Sequence, residues 1–358
     1  MKTKPDKPAG SGKRVLWSLL FVVIAALSVW TVTSQAKGFS PKHFMEYLDN
    51  NNPWWLAAAF LAMLAYIGFD ALMVGVLLKG FGYPRSFPKC VSYAAADLYF
   101  SAITPSATGG QPACAYFMVK DGVPAGAATV ALLVNLILYT VSLVILGLAA
   151  VIAYPSLFFQ LGLAAKILIG VGFVLQLGLT IVFFILLGKG PFVFGVLRRF
   201  LHFLHRKKIV HRLQRKLDKL DKAQWEYESC AKVMKGKRGA FALALVWNIL
   251  QRASQLSVPA CLYLALGGRL SGAGPLFAVQ CLVVNGYAPV PIPGAMGVAD
   301  FLMLDAFSCL GFIAAEEVLR LEMLSRGLSF YLCVAVSGVI TLIGYLLLRK
   351  KEKGVETP

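Results

Sequence analysis

The chain alternates between long uncharged apolar runs and short polar, mostly basic connectors. Several runs reach the roughly 18–20 residues that cross a hydrocarbon core. The pattern predicts full spans near Val15–Thr33, Trp54–Leu78, Val123–Ala153, Leu163–Leu187, Ala240–Leu266 and Leu324–Leu348. Two further apolar stretches, Cys90–Val119 and Pro275–Leu310, are each interrupted by a proline–glycine cluster and read as helical hairpins. The first interruption is Thr104-Pro105-Ser106-Ala107-Thr108-Gly109-Gly110-Gln111-Pro112; the second is Ala288-Pro289-Val290-Pro291-Ile292-Pro293-Gly294-Ala295-Met296-Gly297. Non-helical backbone is tolerated at membrane depth only where protein or a water-filled cavity satisfies it. Paired breaks in corresponding positions point to a transporter's binding site. The expected architecture is an all-α polytopic membrane protein of about six full spans plus two re-entrant hairpins, arranged as an inverted repeat. Ten crossings, with each hairpin counted as two short spans, satisfy the same charge placement.

Composition agrees: 58% of the 358 residues are apolar and 15% charged. The net charge of +18 would signal a nucleic-acid partner in a soluble protein. Its location argues otherwise. With the N-terminus in the cytoplasm, 28 of the 35 Lys and Arg fall on cytoplasmic segments, as the positive-inside rule requires. The first hairpin then enters from the cytoplasm, flanked by Lys79, Arg85, Lys89 and Lys120, and the second from outside, flanked by Arg269, Glu316, Glu317 and Glu322. Both termini are expected in the cytoplasm. The first run is too long for a signal-peptide h-region and reads as a retained anchor.

The chain divides into a basic tail (1–14), one transmembrane domain (15–348) and a polar tail (349–358). Its halves, about 15–187 and 239–348, are joined by a basic cytoplasmic segment, 188–238. From Lys189 to Arg238 there are 15 Lys and Arg against four acids, with Val196, Phe200, Phe203 and Leu204 at helical spacing. This fits a basic amphipathic helix on an anionic leaflet, or a long loop obeying the positive-inside rule. His202, His205 and His211 lie among cations that would repel a metal, so a solvated basic face is expected and no metal site. The seven cysteines show no C-x-x-C pair and imply neither disulfides nor metal. No cofactor is called for.

Ionisable residues inside a span are costly and point to function. Asn248, Gln251, Arg252 and Gln255 share one helix face, with Arg252 near the centre of its span. Its guanidinium must face a carboxylate, a hydrated cavity or a bound anion, and its planar fork suits phosphate. An internal ion pair with Asp70, Asp97 or Asp300 is the structural alternative. Asp70, Asp97 and Asp300 are also candidate ion-coupling residues. Asp305 leaves the second break beside Asp300, and Asn135 and Tyr139 give the third span a polar stripe. At the breaks, Gly109 and Gly110 permit close backbone approach, with Pro112 suited to a first helical turn. Gly294 and Gly297 would do the same from the other side. Two helix N-termini and Arg252 would together make an anion-friendly cavity at mid-membrane depth. Thr104 and Gln111 complete the candidate binding set.

The strings Thr104–Pro112 and Pro291–Asp300 resemble the two signatures of the lysylphosphatidylglycerol synthase transmembrane-domain family, the membrane half of the bacterial multiple peptide resistance factor. The resemblance covers about Val15 to Leu348. It implies a bacterial inner-membrane domain that translocates aminoacylated phosphatidylglycerol, with break motifs and polar membrane residues lining the headgroup path. Resistance to antimicrobial peptides would follow from that movement. Ala295 stands where a second glycine is common in the family, and Asp300 where a glutamate is common. The ten residues after the last span hold no tRNA-dependent synthase domain, so the expected role is flippase-like lipid translocation rather than lysyl transfer. A small-anion transporter and a membrane partner of a separate lysyltransferase are the alternatives. A lipid-modifying enzyme finds no nucleophile or acid–base pair, and no P-loop is present.

Overall fold

The computed structural model describes residues 51–104, 107–206, 213–290, 292–295 and 297–355. The span expected at Val15–Thr33, the basic tail, His211, and Pro105, Ser106, Pro291 and Met296 of the breaks lie outside the described residues. Every regular element among the described residues is helical.

In chain order, α1 (Pro53–Gly80) leads into a pair formed by α2 (Phe87–Ile103) and α3 (Gly110–Lys120), followed by α4 (Ala125–Ala153). A short α5 (Pro155–Gln160) and α6 (Leu163–Gly188) come next, then α7 (Gly190–Arg206) and α8 (Leu213–Gly236). The first pattern then recurs: α9 (Arg238–Ala265), a pair α10 (Leu270–Tyr287) and α11 (Val298–Ser308), and α12 (Ala315–Arg326), which runs through a π-helical turn (Gly327–Leu332) into α13 (Cys333–Val355).

Among the described residues, four helical stretches are by themselves long and apolar enough to cross a membrane: Pro53–Gly80, Ala125–Ala153, Leu163–Gly188 and Glu316–Arg349. The α9 segment is not one of them, although a span was expected there. Its polar stripe lowers its hydropathy, but it has the same 28-residue length as α1 and lies antiparallel along it. The Asn52 N–H donates to the Ala265 carbonyl at one end, and Gly80 faces Ala240 at the other. A polar helix is carried the length of the bundle by its packing rather than by its own apolarity.

Both helix pairs join a long arm to a short one, of 17 and 11 residues in the first and 18 and 11 in the second. At 1.5 Å per residue the short arms extend about 16 Å, half of a ~30 Å hydrocarbon core. The outer ends of α2 and α3 are tied at the end of the bundle that carries Lys79, Lys120 and Lys237. There Asp121 accepts hydrogen bonds from Lys89 Nζ (2.7 Å) and Tyr93 Oη (2.6 Å), with Arg85 Nε at 3.6 Å. Burial alone would raise the Asp121 carboxyl. The hydrogen bonds from Lys89 and Tyr93 and the charges of Lys89 and Arg85 outweigh it and hold the group below the usual carboxylate range. At the opposite end, Asp305 of α11 accepts from the Gly162 N–H (3.0 Å), anchoring the second pair beside the start of α6.

Several expectations shift. The α10 arm begins five residues before Pro275, which the helix accommodates in its second turn. The last span starts earlier than Leu324, because the π-helical turn keeps α12 and α13 continuous, and helix persists to Val355 through the expected polar tail. The described parts of the 188–238 segment are mainly helical: α7 and α8 pack together and dock on the ends of α4 and α6. Tyr227 Oη donates to the Leu186 carbonyl (3.0 Å), and Glu226 accepts from the Gly126 N–H (3.0 Å). Close helix approach depends on small residues, as is usual in membrane bundles. A methyl group on Gly172 would strike the Asn285 carbonyl, and one on Gly147 the rings and amides of Phe173 and Asn285.

Candidate functional site

The tips of the two pairs meet at a cavity of ≈ 560 Å³. Ala107 and Gln111 come from the first break, and Pro289, Val290, Ile292, Gly294 and Ala295 from the second. The walls are completed by α1, α2, α4, α6, α9 and the π-helical turn.

Arg252 lies fourteen residues from the start of α9 and thirteen from its end, and presents its guanidinium to this cavity. Its Nη1 donates to Tyr66 Oη and to Gln255 Oε1, both at 3.3 Å. The charge also lies over two aromatic faces, 4.6 Å from the Tyr139 centroid and 5.2 Å from that of Tyr66. Ring quadrupoles of this kind hold a cation without neutralising it. Among the described residues Arg252 forms no ion pair, so the pairing weighed from sequence is absent. Asp70 and Asp97 line the same cavity. Arg252 Nε, Gln111 Oε1 and Gln176 Oε1 are buried without hydrogen-bond partners among the described residues.

The stripe expected on α9 divides. Arg252 and Gln255 face the cavity, whereas Asn248 and Gln251 are fully buried and hydrogen-bonded to each other at 3.3 Å. Of the other candidates, Gln111, Gly294, Asp70 and Asp97 line the cavity; Thr104, Gly109, Gly110, Gly297 and Asp300 do not.

The glycines of the first break serve packing between its own arms. A methyl on Gly110 would collide with Asp97 and Ser101, and one on Gly109 would lie 2.6 Å from Thr104 Cγ2. Thr104 accepts from the Gly109 N–H (2.8 Å) and closes the turn. The helix N-termini expected to attract a ligand anion already face carboxylates of the protein. Asp97 sits over the start of α3, held by Gln111 Nε2 (3.1 Å) and Ser101 Oγ (3.2 Å). Asp300 reaches back from the first turn of α11 to the Gly297 N–H (2.9 Å). Asp300 thereby satisfies a backbone N–H, and both carboxylates lie where the positive dipole end of a helix favours them. The second break is also conformationally special, with Gly294 and Gly297 at φ 60° and 77° and Ala295 at 49°.

Two groups escaped the sequence reading. Arg326 joins Asp300 (2.9 Å), the Gly294 carbonyl (3.1 Å) and the Phe330 ring, 5.2 Å from its centroid. Gln176 brings α6 to the site, and Thr180 one turn on donates to the cavity-lining Thr140 at 2.7 Å. Gln176 and Thr180 lie one turn apart on an otherwise apolar helix, a signal available in the sequence. The Arg326–Asp300 contact, 26 residues apart across a turn and two helices, gave none.

The family described as the lysylphosphatidylglycerol synthase TM region matches residues 15–351. The chain belongs to that family. No curated protein and no solved structure matches it.

Proposed function

We propose that the protein is a lipid translocator of the bacterial inner membrane that passes a phospholipid headgroup through the cavity between the two helix-pair tips. The observation that carries this reading is Arg252, a guanidinium at mid-length of a bundle helix that forms no ion pair among the described residues and is cradled by Tyr66 and Tyr139. A permanently charged donor fork in that setting suits a phosphate. Asp70 and Asp97 on the same wall supply a place for an ammonium, which fits a headgroup carrying both charges, such as aminoacylated phosphatidylglycerol. Membership of the family supports the same class of substrate.

The two helix pairs are re-entrant hairpins entering from opposite faces. Support comes from the 11-residue short arms, from bases tied at opposite ends of the bundle, and from the antiparallel α1–α9 pair. Among the described residues the recurring unit is a long helix, a hairpin and a long helix: α1, α2–α3 and α4, then α9, α10–α11 and α12–α13. The end bearing Lys79, Arg85, Lys89, Lys120 and Lys237 is cytoplasmic by the positive-inside rule. Asp70 and Asp97 are the candidates for ion coupling. A lipid synthase is the partner this reading calls for, as the supplier of substrate.

The test is translocation by purified protein in liposomes, comparing labelled phosphatidylglycerol and its lysyl derivative with empty vesicles. Movement of either lipid above the empty-vesicle rate, with discrimination between headgroups, is expected. A folded protein that moves neither lipid hands the cavity to a small soluble anion, or the chain to a role as membrane partner of a lysyltransferase.

A further inference from the structure

We infer that α7 is an in-plane helix that seats one apolar face in the bilayer leaflet at the basic end of the bundle and recognises anionic phospholipid there. The inference does not depend on what the central cavity carries.

Three sides of α7 have separate tasks. At 100° per residue, Phe192, Val196, Phe200 and Phe203 fall within one arc of about 80°, and their exposures are 68, 50, 55 and 52%. Arg198, Arg199, His202 and Arg206 fall on another side. The third holds Phe194, which is buried against the ring of Tyr227 in α8. Docking on the protein therefore consumes Phe194 and leaves the phenylalanine face free.

Position selects the occupant. α7 begins two residues after α6 ends, and α8 is pinned to Leu186 and Gly126 at the ends of α6 and α4. The helix thus sits at the level where two spanning helices leave the bilayer, where an amphipathic helix buries its apolar face at the headgroup boundary. Charge selects the lipid. The segment from Lys189 to Arg238 has 15 cations and four acids, a net +11, beside Lys79, Arg85, Lys89 and Lys120. An anionic leaflet attracts such a segment. A protein partner would need an acidic, apolar groove on this one face; the leaflet meets it without further requirement.

The experiment places the photo-crosslinking residue p-benzoylphenylalanine singly at positions 196, 200, 203 and 202 of the full chain. The protein is reconstituted in vesicles of phosphatidylcholine alone or mixed equally with phosphatidylglycerol. Mass spectrometry then identifies the adducts. Lipid adducts at 196, 200 and 203 but not at 202, enriched in phosphatidylglycerol in the mixture, are expected. In an Arg199→Gln/Arg206→Gln variant the lipid adducts persist while their phosphatidylglycerol preference falls, on the order of five-fold per charge removed. Adducts to a second copy of the chain, no lipid adducts at the three apolar positions, or lipid adducts without anionic preference would each overturn the inference. Gel filtration of every variant guards against misfolding.

Discussion

Arg326 and Asp300 form a 2.9 Å ion pair that fastens the end of α12 to the first turn of α11. The same guanidinium holds the Gly294 carbonyl, so a single side chain fixes both the break and the helix that follows it. Because Asp300 also accepts from the Gly297 N–H, it is committed to structure at the second tip and is a weaker ion-coupling candidate than Asp70 or Asp97.

Arg326→Ala should therefore loosen the second tip. Loss of charge-assisted hydrogen bonds of this kind costs roughly 1.5–3 kcal/mol. The detergent-solubilised variant should show a lower Tm and faster hydrogen exchange at residues 292–300. A wild-type Tm and exchange pattern would mean that the pair holds nothing.

At the first tip the constraint is steric. Gly110→Ala inserts a methyl where α3 meets Asp97 and Ser101, and overpacking of this sort typically costs about 1–3 kcal/mol. A reduced Tm is expected, together with altered transport, since Asp97 lines the cavity. Gly82→Ala, in a turn with open space around it but a φ of 88°, is the control for backbone strain alone.

Ala295 occupies left-handed backbone at φ 49°, a conformation that strains any residue with a Cβ. Ala295→Gly should be neutral or stabilising, by about 1 kcal/mol or less once the extra unfolded-state entropy of glycine is counted. A clear fall in Tm would show that the alanine methyl makes a contact worth more than the strain.

Asp121 gives a pH-dependent contribution with a definite sign. Its carboxyl is held below the ordinary value near 3.9 by Lys89, Tyr93 and Arg85. The stability it supplies is complete above that unfolded value and is lost as the pH falls through the lower folded one. Asp121→Asn should lower the Tm between pH 5 and 8 and shrink the difference from wild type at the acid limit. A difference that does not change with pH would contradict the ion pairing.

Much of the architecture was written in hydropathy. Long apolar runs and two proline–glycine breaks located four helices long and apolar enough to cross a membrane and both helix pairs. What pattern could not supply was the partition of side chains between cavity and helix contact. Asn248, Gln251, Arg252 and Gln255 span an arc of about 100° on one helix, with Asn248 between Gln255 and Arg252. Direction alone therefore does not separate the two that face the cavity from the two that are buried. Gly110 was legible as a place of close approach, but its neighbour is Asp97 rather than a ligand, because the second arm folds back onto the first. Asp300–Arg326 depends on how helices far apart in sequence meet, which periodicity does not encode. Ala295 was marked by the family resemblance as standing in a glycine's place, and its left-handed backbone is one that glycine adopts without strain.

The most direct test of the central claim changes Arg252 alone. Lipid translocation in liposomes would be compared for wild type, Arg252→Lys and Arg252→Ala, each shown to be folded by gel filtration and Tm. Near-background transport is expected for Arg252→Ala, and partial transport with altered headgroup selectivity for Arg252→Lys, since an ammonium keeps the charge without the planar fork. Wild-type rates and selectivity in a well-folded Arg252→Ala protein would contradict it, leaving Arg252 a structural cation packed between Tyr66 and Tyr139.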